Sequence, residues 1–267
     1  MGRNNPIGVF DSGVGGLTVV KALLEQMPHE SFIYFGDNAH VPYGAKEEWQ
    51  LMGYARDIMT FLLEQKVKAV VVACGTHSST TLPIFRDDYD LPMLGVLKAG
   101  ARTAARVTQN GKIGVIATVA TTRSLAHTRE IKGINEQFEV FELGCPKLVP
   151  LVEAGKLEGD ETREAAAEYL QPLLERGIDT LVLGCTHYPF LSTVIQEYVG
   201  PGVRLADPSC ETIEDLQKIF AERDLSNDRT APPVRQFYVN GNAESFYQVG
   251  RLLIGETIEC VNRVSQD

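Results

Sequence analysis

Two cysteines of this 267-residue chain stand in matching surroundings. VVVACGTH sets Cys74 ahead of Gly75, Thr76 and His77, and LVLGCTHY sets Cys185 ahead of Thr186 and His187. Each thiol closes an apolar run of the kind that forms a buried strand, so each is expected where a strand ends and the next helix begins. The unpaired amides and positive end of a helix start favour an anion and lower a thiol pKa from its reference of ~8.5. At that reference only ~3% of a thiol is thiolate at pH 7, which costs a working base ~2 kcal/mol. Two thiols delivered by two similar units suit a reaction worked from two sides, one sulfur taking a proton while the other gives one. A lone cysteine after a strand is more often a small buried hydrophobe. The matched pair, each with a hydroxyl and an imidazole nearby, argues for chemistry, whereas Cys145, Cys210 and Cys260 keep the packing role.

Asp11 and Ser12 follow the first apolar run, inside DSGVGG. An acid and a hydroxyl at a strand end can hold an ammonium group or assist a proton transfer, and they serve equally as a glycine-rich turn with a helix cap. The segment fails as a dinucleotide fingerprint, because Thr18 stands where the third glycine of GxGxxG belongs and an acid sits at the phosphate entrance. Cys74, His77, Cys185 and His187 also fail as a zinc site: CxxH and CxH in separate units lack the usual ligand spacing. No metal is expected.

The elements that must position these residues repeat. NPIGVFDS from Asn5 resembles GKIGVIAT from Gly111, SFIYFGD from Ser31 resembles QFEVFEL from Gln137, and the two cysteine segments follow at similar offsets. The period is too long for a solenoid, so the duplication implies two folded units. Strand-like runs begin at Ile7, Phe32, Ala69, Met93, Ile113, Phe138, Thr180, Val203 and Arg235, with helical spacing in LTVVKALLEQM, WQLMGYARDIMTFLLEQ and TREAAAEYLQPLLERG between them. This alternation predicts an α/β fold of mainly parallel sheets flanked by helices, which bind ligands at the carboxyl ends of their strands. The boundary falls near Lys98. The expected division is 1–97 with 211–267 as a first α/β domain and 98–210 as a second, the tail returning to cover the first sheet. SNDRTAPP from Ser226 reads as a polar loop.

Composition narrows the function classes. Hydrophobic residues make up 44% and charged residues 22% of the chain, enough apolar content for a full core. The net charge of −10 without a basic cluster argues against a nucleic-acid surface. It also means that an acidic ligand must be held by local groups. No apolar stretch reaches the ~18 residues of a membrane span, and MGRNNPIGVF has no secretory pattern. Five scattered cysteines without a CxxC pair suit free thiols in a reducing compartment, so the cytoplasm is expected.

DSGVGGLTV, VPYG from Val41, VVACGT, IGVIAT, CPKLVPLVE from Cys145 and GCTHYPFL together resemble glutamate racemase, in the cofactor-independent aspartate/glutamate racemase superfamily, from Ile7 to the ending TIECVNRV. The resemblance implies two pseudo-symmetric α/β domains with the substrate, L- or D-glutamate, between them. It implies no cofactor, and a role in supplying D-glutamate for peptidoglycan. Cys74 and Cys185 would be the catalytic thiols, the first serving the D-enantiomer with Asp11 nearby and the second the L-enantiomer with His187 nearby. Ser12, Pro42, Tyr43, Gly44, Gly75, Thr76, Thr118 and Thr186 would surround the substrate with Asp11 and His187. The family normally has Asn after its first cysteine and small residues two places on. This chain has Gly75 and His77. Losing the amide removes one or two hydrogen bonds of ~0.5–1.5 kcal/mol each, and His77 or a water is expected to fill the place.

Other classes stay open at this point. A related small acid such as aspartate, single-thiol decarboxylation or isomerisation of a dicarboxylate, a Cys-His hydrolase and a binding or regulatory protein with weakened turnover all fit parts of the pattern. Oligomeric state is not legible, and a homodimer is left open.

Overall fold

The computed structural model describes residues 2–228 and 231–264. Its strands are β1 Ile7–Asp11, β2 Phe32–Gly36, β3 Ala69–Val72, β4 Met93–Gly95, β5 Lys112–Ala117, β6 Glu139–Gly144, β7 Thr180–Leu183, β8 Arg204–Ala206, β9 Arg235–Val239 and β10 Asn262–Arg263. Between the first eight lie helices α1 Leu17–Gln26, α2 Glu48–Glu64, α3 Gly75–Thr80, α4 Leu82–Phe85, α5 Val96–Val107, α6 Val119–Ser124, α7 Ala126–Ile134, α8 Leu148–Glu153, α9 Asp160–Leu174 and α10 Ser192–Val199. α11 Ser209–Arg223 and α12 Ala243–Ile254 flank β9.

The strands form two sheets, ordered β10-β9-β2-β1-β3-β4 and β6-β5-β7-β8, and every pair is parallel. The core order of the first, β2-β1-β3-β4, is repeated in the second as β6-β5-β7-β8. The segments that look alike in sequence therefore occupy equivalent strands. β9 pairs with β2 along Phe32↔Arg235 to Gly36↔Val239, so the chain returns to the first sheet near its end. β10 adds two exposed residues at the edge, too short and polar for an apolar pattern to signal.

Strands covered on both faces read as continuous apolar runs, and β1, β2, β3 and β7 are buried throughout. Alternate residues feed different cores. Phe10, Val70 and Val72 pack under α2 with Ile58, Met59 and Leu62, while Ile113, Val115 and Val182 pack with Ala101, Ala104 and Ile131. The facing sides share one cluster that includes Val9, Val71 and Leu17 from the first half and Ile116, Leu183 and Leu148 from the second. A shared core holds the two halves against each other, and the carboxyl ends of β1, β3, β5 and β7 meet there. Among the described residues, no helix is long and apolar enough to cross a membrane.

Candidate active site

In each sheet the chain reverses its direction of strand addition between the first and third strands, opening a crevice at their carboxyl ends. Asp11 ends β1, and Cys74 caps α3 just after β3. The matching positions of the second sheet carry Thr118 after β5 and Cys185 after β7. Cys74 is 3% and Cys185 5% exposed, so solvent is nearly excluded from both sulfurs. Each lies within electrostatic reach of the other, because charge on Cys185 contributes to the upward shift of the Cys74 thiol.

The surroundings of the two thiols differ. Burial, then the Asp11 carboxylate, pushes the Cys74 thiol well up, against the backbone amides of His77 and Thr76 that favour its anion. The helix start alone was expected to lower it. α3 has only six residues, and its amides are outweighed by desolvation and a neighbouring acid. Cys185 has no helix start at all: a turn and a single 3₁₀ turn, Tyr188–Leu191, precede α10. Tyr188 pins this turn by donating from its hydroxyl to the carbonyls of Cys145 at 3.1 Å and Ala117 at 3.3 Å. Instead of a helix end, Cys185 has His187, whose Nδ1 lies 3.5 Å from the sulfur.

His187 is held from behind. Its Nε2 lies 2.7 Å from Glu153 Oε1, which also accepts the Val14 amide at 2.9 Å. Burial disfavours the imidazolium, but the Cys185 sulfur and the Glu153 carboxylate together raise its pKa well above the usual value. Glu153 ends α8 in the second half and reaches the DSGVGG loop of the first. Sequence reasoning missed it: it closes the quoted CPKLVPLVE run, and an acid ending an apolar helix is the one local signal of a special role.

Asp11 lies between the two thiols' environments. Its Oδ2 accepts the Gly13 amide at 3.2 Å and the Gly16 amide at 3.0 Å, and the Thr186 hydroxyl approaches Oδ1 at 3.4 Å. Burial raises its pKa, opposed by His187 and the two amides. Hydroxyls join the halves elsewhere: Thr76 Oγ1 is 2.9 Å from Thr118 Oγ1, itself 3.0 Å from Thr121 Oγ1. Ser12 is 5% exposed beside Asp11. Tyr43 is buried, its hydroxyl donating to Asp37, a second acid that sequence reasoning passed over although it follows β2. Pro42 and Gly44 sit further out, lining a cavity of about 380 Å³ with Thr118, Val119, Arg123 and Cys145, and Pro42 is exposed.

Gly75 and His77 depart from expectation in different ways. His77 is wholly buried with its ring edge-on to Phe10 and Tyr43. Its Nδ1 lies 2.8 Å from Thr81 Oγ1, and burial holds it neutral with a pKa of about 3. The imidazole is thus engaged in packing within the first half. Gly75 lies against the second half, at the Gly184 carbonyl.

Cys74, Cys185, Asp11, Ser12, Thr76, Thr118, Thr186 and His187 thus gather where the halves meet, with Tyr43 behind and Pro42 and Gly44 toward the opening. Two buried sulfurs on opposing strand ends, hydroxyls for a carboxylate and an imidazole–carboxylate pair can remove and deliver a proton at a carbon held between them.

Residues 7–215 match the family model described as Asp/Glu/Hydantoin racemase. The glutamate racemase of Thermoanaerobacter pseudethanolicus is 45% identical over 264 residues, covering 98% of this chain and 97% of that protein. Among solved structures, a glutamate racemase from Bacillus anthracis superposes with a TM-score of 0.94 at 34% identity, covering 99% of this chain and 98% of that one. The Francisella tularensis glutamate racemase in complex with D-glutamate gives 0.91 at 35% identity, covering 99% of each chain.

Proposed function

The chain belongs to the Asp/Glu/hydantoin racemase family and, within it, to the glutamate racemases; from that membership we propose that it interconverts L- and D-glutamate by proton transfer between Cys74 and Cys185. The observation that carries this reading is the pair of nearly solvent-free sulfurs on equivalent strand ends of two facing halves.

Inverting a stereocentre beside a carboxylate requires one proton to leave from one face and another to arrive at the opposite face. With L-glutamate, Cys185 as thiolate takes the α-proton and Cys74 as thiol supplies its replacement; with D-glutamate the roles exchange. The His187 imidazolium, braced by Glu153, compensates negative charge at Cys185. Burial and Asp11 favour a protonated Cys74. Cys74 is therefore placed to deliver the proton when L-glutamate reacts. A turnover of ~10 per second corresponds to a barrier near ~16 kcal/mol, so the carbanion formed next to the carboxylate must be strongly stabilised. Ser12, Thr76, Thr118 and Thr186 supply hydroxyl donors for that carboxylate, with the Thr76–Thr118 bond exchanged for bonds to substrate. D-Glutamate made in the cytoplasm would supply peptidoglycan synthesis.

Incubation with L-glutamate in deuterium oxide tests the reading. D-Glutamate deuterated at the α-carbon is expected, with slower or no reaction of aspartate. Binding without exchange would sink it. One observation favours a second reading: Cys185, His187 and Glu153 form a nucleophile, base and orienting acid in sequence. An acyl-enzyme trapped at Cys185 with a test ester, independent of Cys74, would support a hydrolase instead.

A further inference from the structure

Any side chain at position 75 would have to enter the opposite half of the molecule. A Cβ on Gly75 would stand 2.3 Å from the Gly184 carbonyl oxygen, 3.3 Å from its carbonyl carbon and 3.5 Å from the Cys185 Cα. All three are backbone atoms, which cannot swing aside as a side-chain tip does. Gly184 is itself closely surrounded and tied to its neighbouring strand. A Cβ on Gly184 would stand 2.8 Å from His127 Nε2 and 3.0 Å from the Ile116 carbonyl oxygen, and its amide already donates to that carbonyl at 2.8 Å. His127 behind it is 3% exposed, and burial holds it neutral with a pKa of about 4. Position 75 follows one candidate thiol, and position 184 precedes the other. The contact between them is thus one residue removed from each sulfur.

We propose that Gly75 is a spacing residue of the reaction: its missing side chain lets the two halves close backbone to backbone, and this contact fixes the separation of the Cys74 and Cys185 sulfurs. The proposal rests on the two-thiol reading above. It differs from what the resemblance implies, because the family's Asn would contribute an amide at this place, whereas here position 75 contributes a distance. A Cβ needs ~3.2 Å or more from an oxygen, so a methyl group would hold the halves apart by roughly 1 Å. A misplacement of that size costs on the order of 10²-fold in rate when reacting atoms must meet at ~3–3.5 Å.

The test compares Gly75→Ala and Gly75→Asn with wild type and with Gly53→Ala, whose added methyl meets nothing within 4 Å. Wild-type racemisation, lost in Cys74→Ala and in Cys185→Ala, establishes the two-thiol reading separately, so either claim can fail alone. Gly75→Ala is expected to stay folded with a melting temperature lowered by a few degrees at most, and to lower kcat roughly 10- to 100-fold with KM changed less than about threefold. In deuterium oxide it should also place label in the recovered starting enantiomer, because a carbanion that the distant partner sulfur protonates slowly lasts long enough for the first sulfur to exchange its proton for solvent deuterium and return that to the same face. Gly75→Asn should be impaired at least as much. An Asn variant as active as wild type, or an Ala variant with unchanged kcat, would overturn the proposal. So would failure of Gly75→Ala to fold, since a shift of roughly 1 Å across the shared core weakens its packing without dismantling either sheet.

Discussion

The carboxyl ends of the two sheets are built alike and charged differently. In the first, β1 ends in Asp11 and β3 leads to Cys74, whose thiol is pushed up by burial and then by that carboxylate. In the second, β5 ends in Ala117 before Thr118, and β7 leads to Cys185 beside an imidazole raised by sulfur and Glu153. One backbone plan thus carries an acid next to one thiol and a base next to the other. Duplication supplies equivalent strand ends, and a few substitutions there give each sulfur different neighbours.

The most severe way to break this comparison is to remove either sulfur. Cys74→Ala and Cys185→Ala should each lower racemisation by ~10³-fold or more, since a general acid or base contributes roughly 10²–10⁴-fold. Polarimetry on both enantiomers measures this, and substantial activity retained by either variant would end the two-base scheme. Next comes the brace on one side only. Glu153→Gln should reduce kcat/KM ~10- to 100-fold by loosening His187. The equilibrium constant of a racemisation is one, so that loss must be equal in both directions. The asymmetry should instead appear as a larger α-deuterium isotope effect from L-glutamate, the direction assigned to Cys185. An equal rise from D-glutamate would show that Glu153 does not act through Cys185. A smaller effect follows from the hydroxyl pair shared by the halves: Thr76→Val should raise KM ~3- to 10-fold with little change in melting temperature, read from initial rates.

The mildest comparison concerns two buried imidazoles, His77 in the first half and His127 in the second, with pKa values of about 3 and about 4. Both are lowered from ~6.5, so below that pH the unfolded chain takes up protons that the native protein refuses, and stability falls as pH falls. Between pH 6.5 and 5 each should cost roughly 1.6 kcal/mol. The loss continues toward pH 4 for His127 and pH 3 for His77. Urea titrations at several pH values measure this, and a His77→Leu variant with an unchanged pH slope would contradict it.

Much of this scaffold was legible because strands covered on both faces must be apolar throughout, which is why the runs at Ile7, Ala69 and Thr180 read plainly. Repeated segments then located both thiols. What was hidden depends on contacts between distant segments. Glu153 meets a histidine 34 positions later and a loop 139 positions earlier, and no local periodicity encodes such reach. The thiol environment was misjudged at Cys74, because a capping position is visible in sequence and desolvation is not. The tight approach of Gly75 to Gly184 was equally invisible, since the chain shows only that a side chain is missing.

The pairing of β9 with β2 has a consequence for how the molecule is made. As the chain leaves the ribosome, all four strands of the second sheet emerge by residue 206, whereas the partner of β2 arrives only with residues 235–239. Until then Phe32, Ile33, Tyr34 and Phe35 form an open, apolar edge, the kind of template that recruits foreign strands. Nascent protein is thus open to aggregation at this edge until residues 235–239 emerge, and ribosomal stalling before that point would expose the edge for longest.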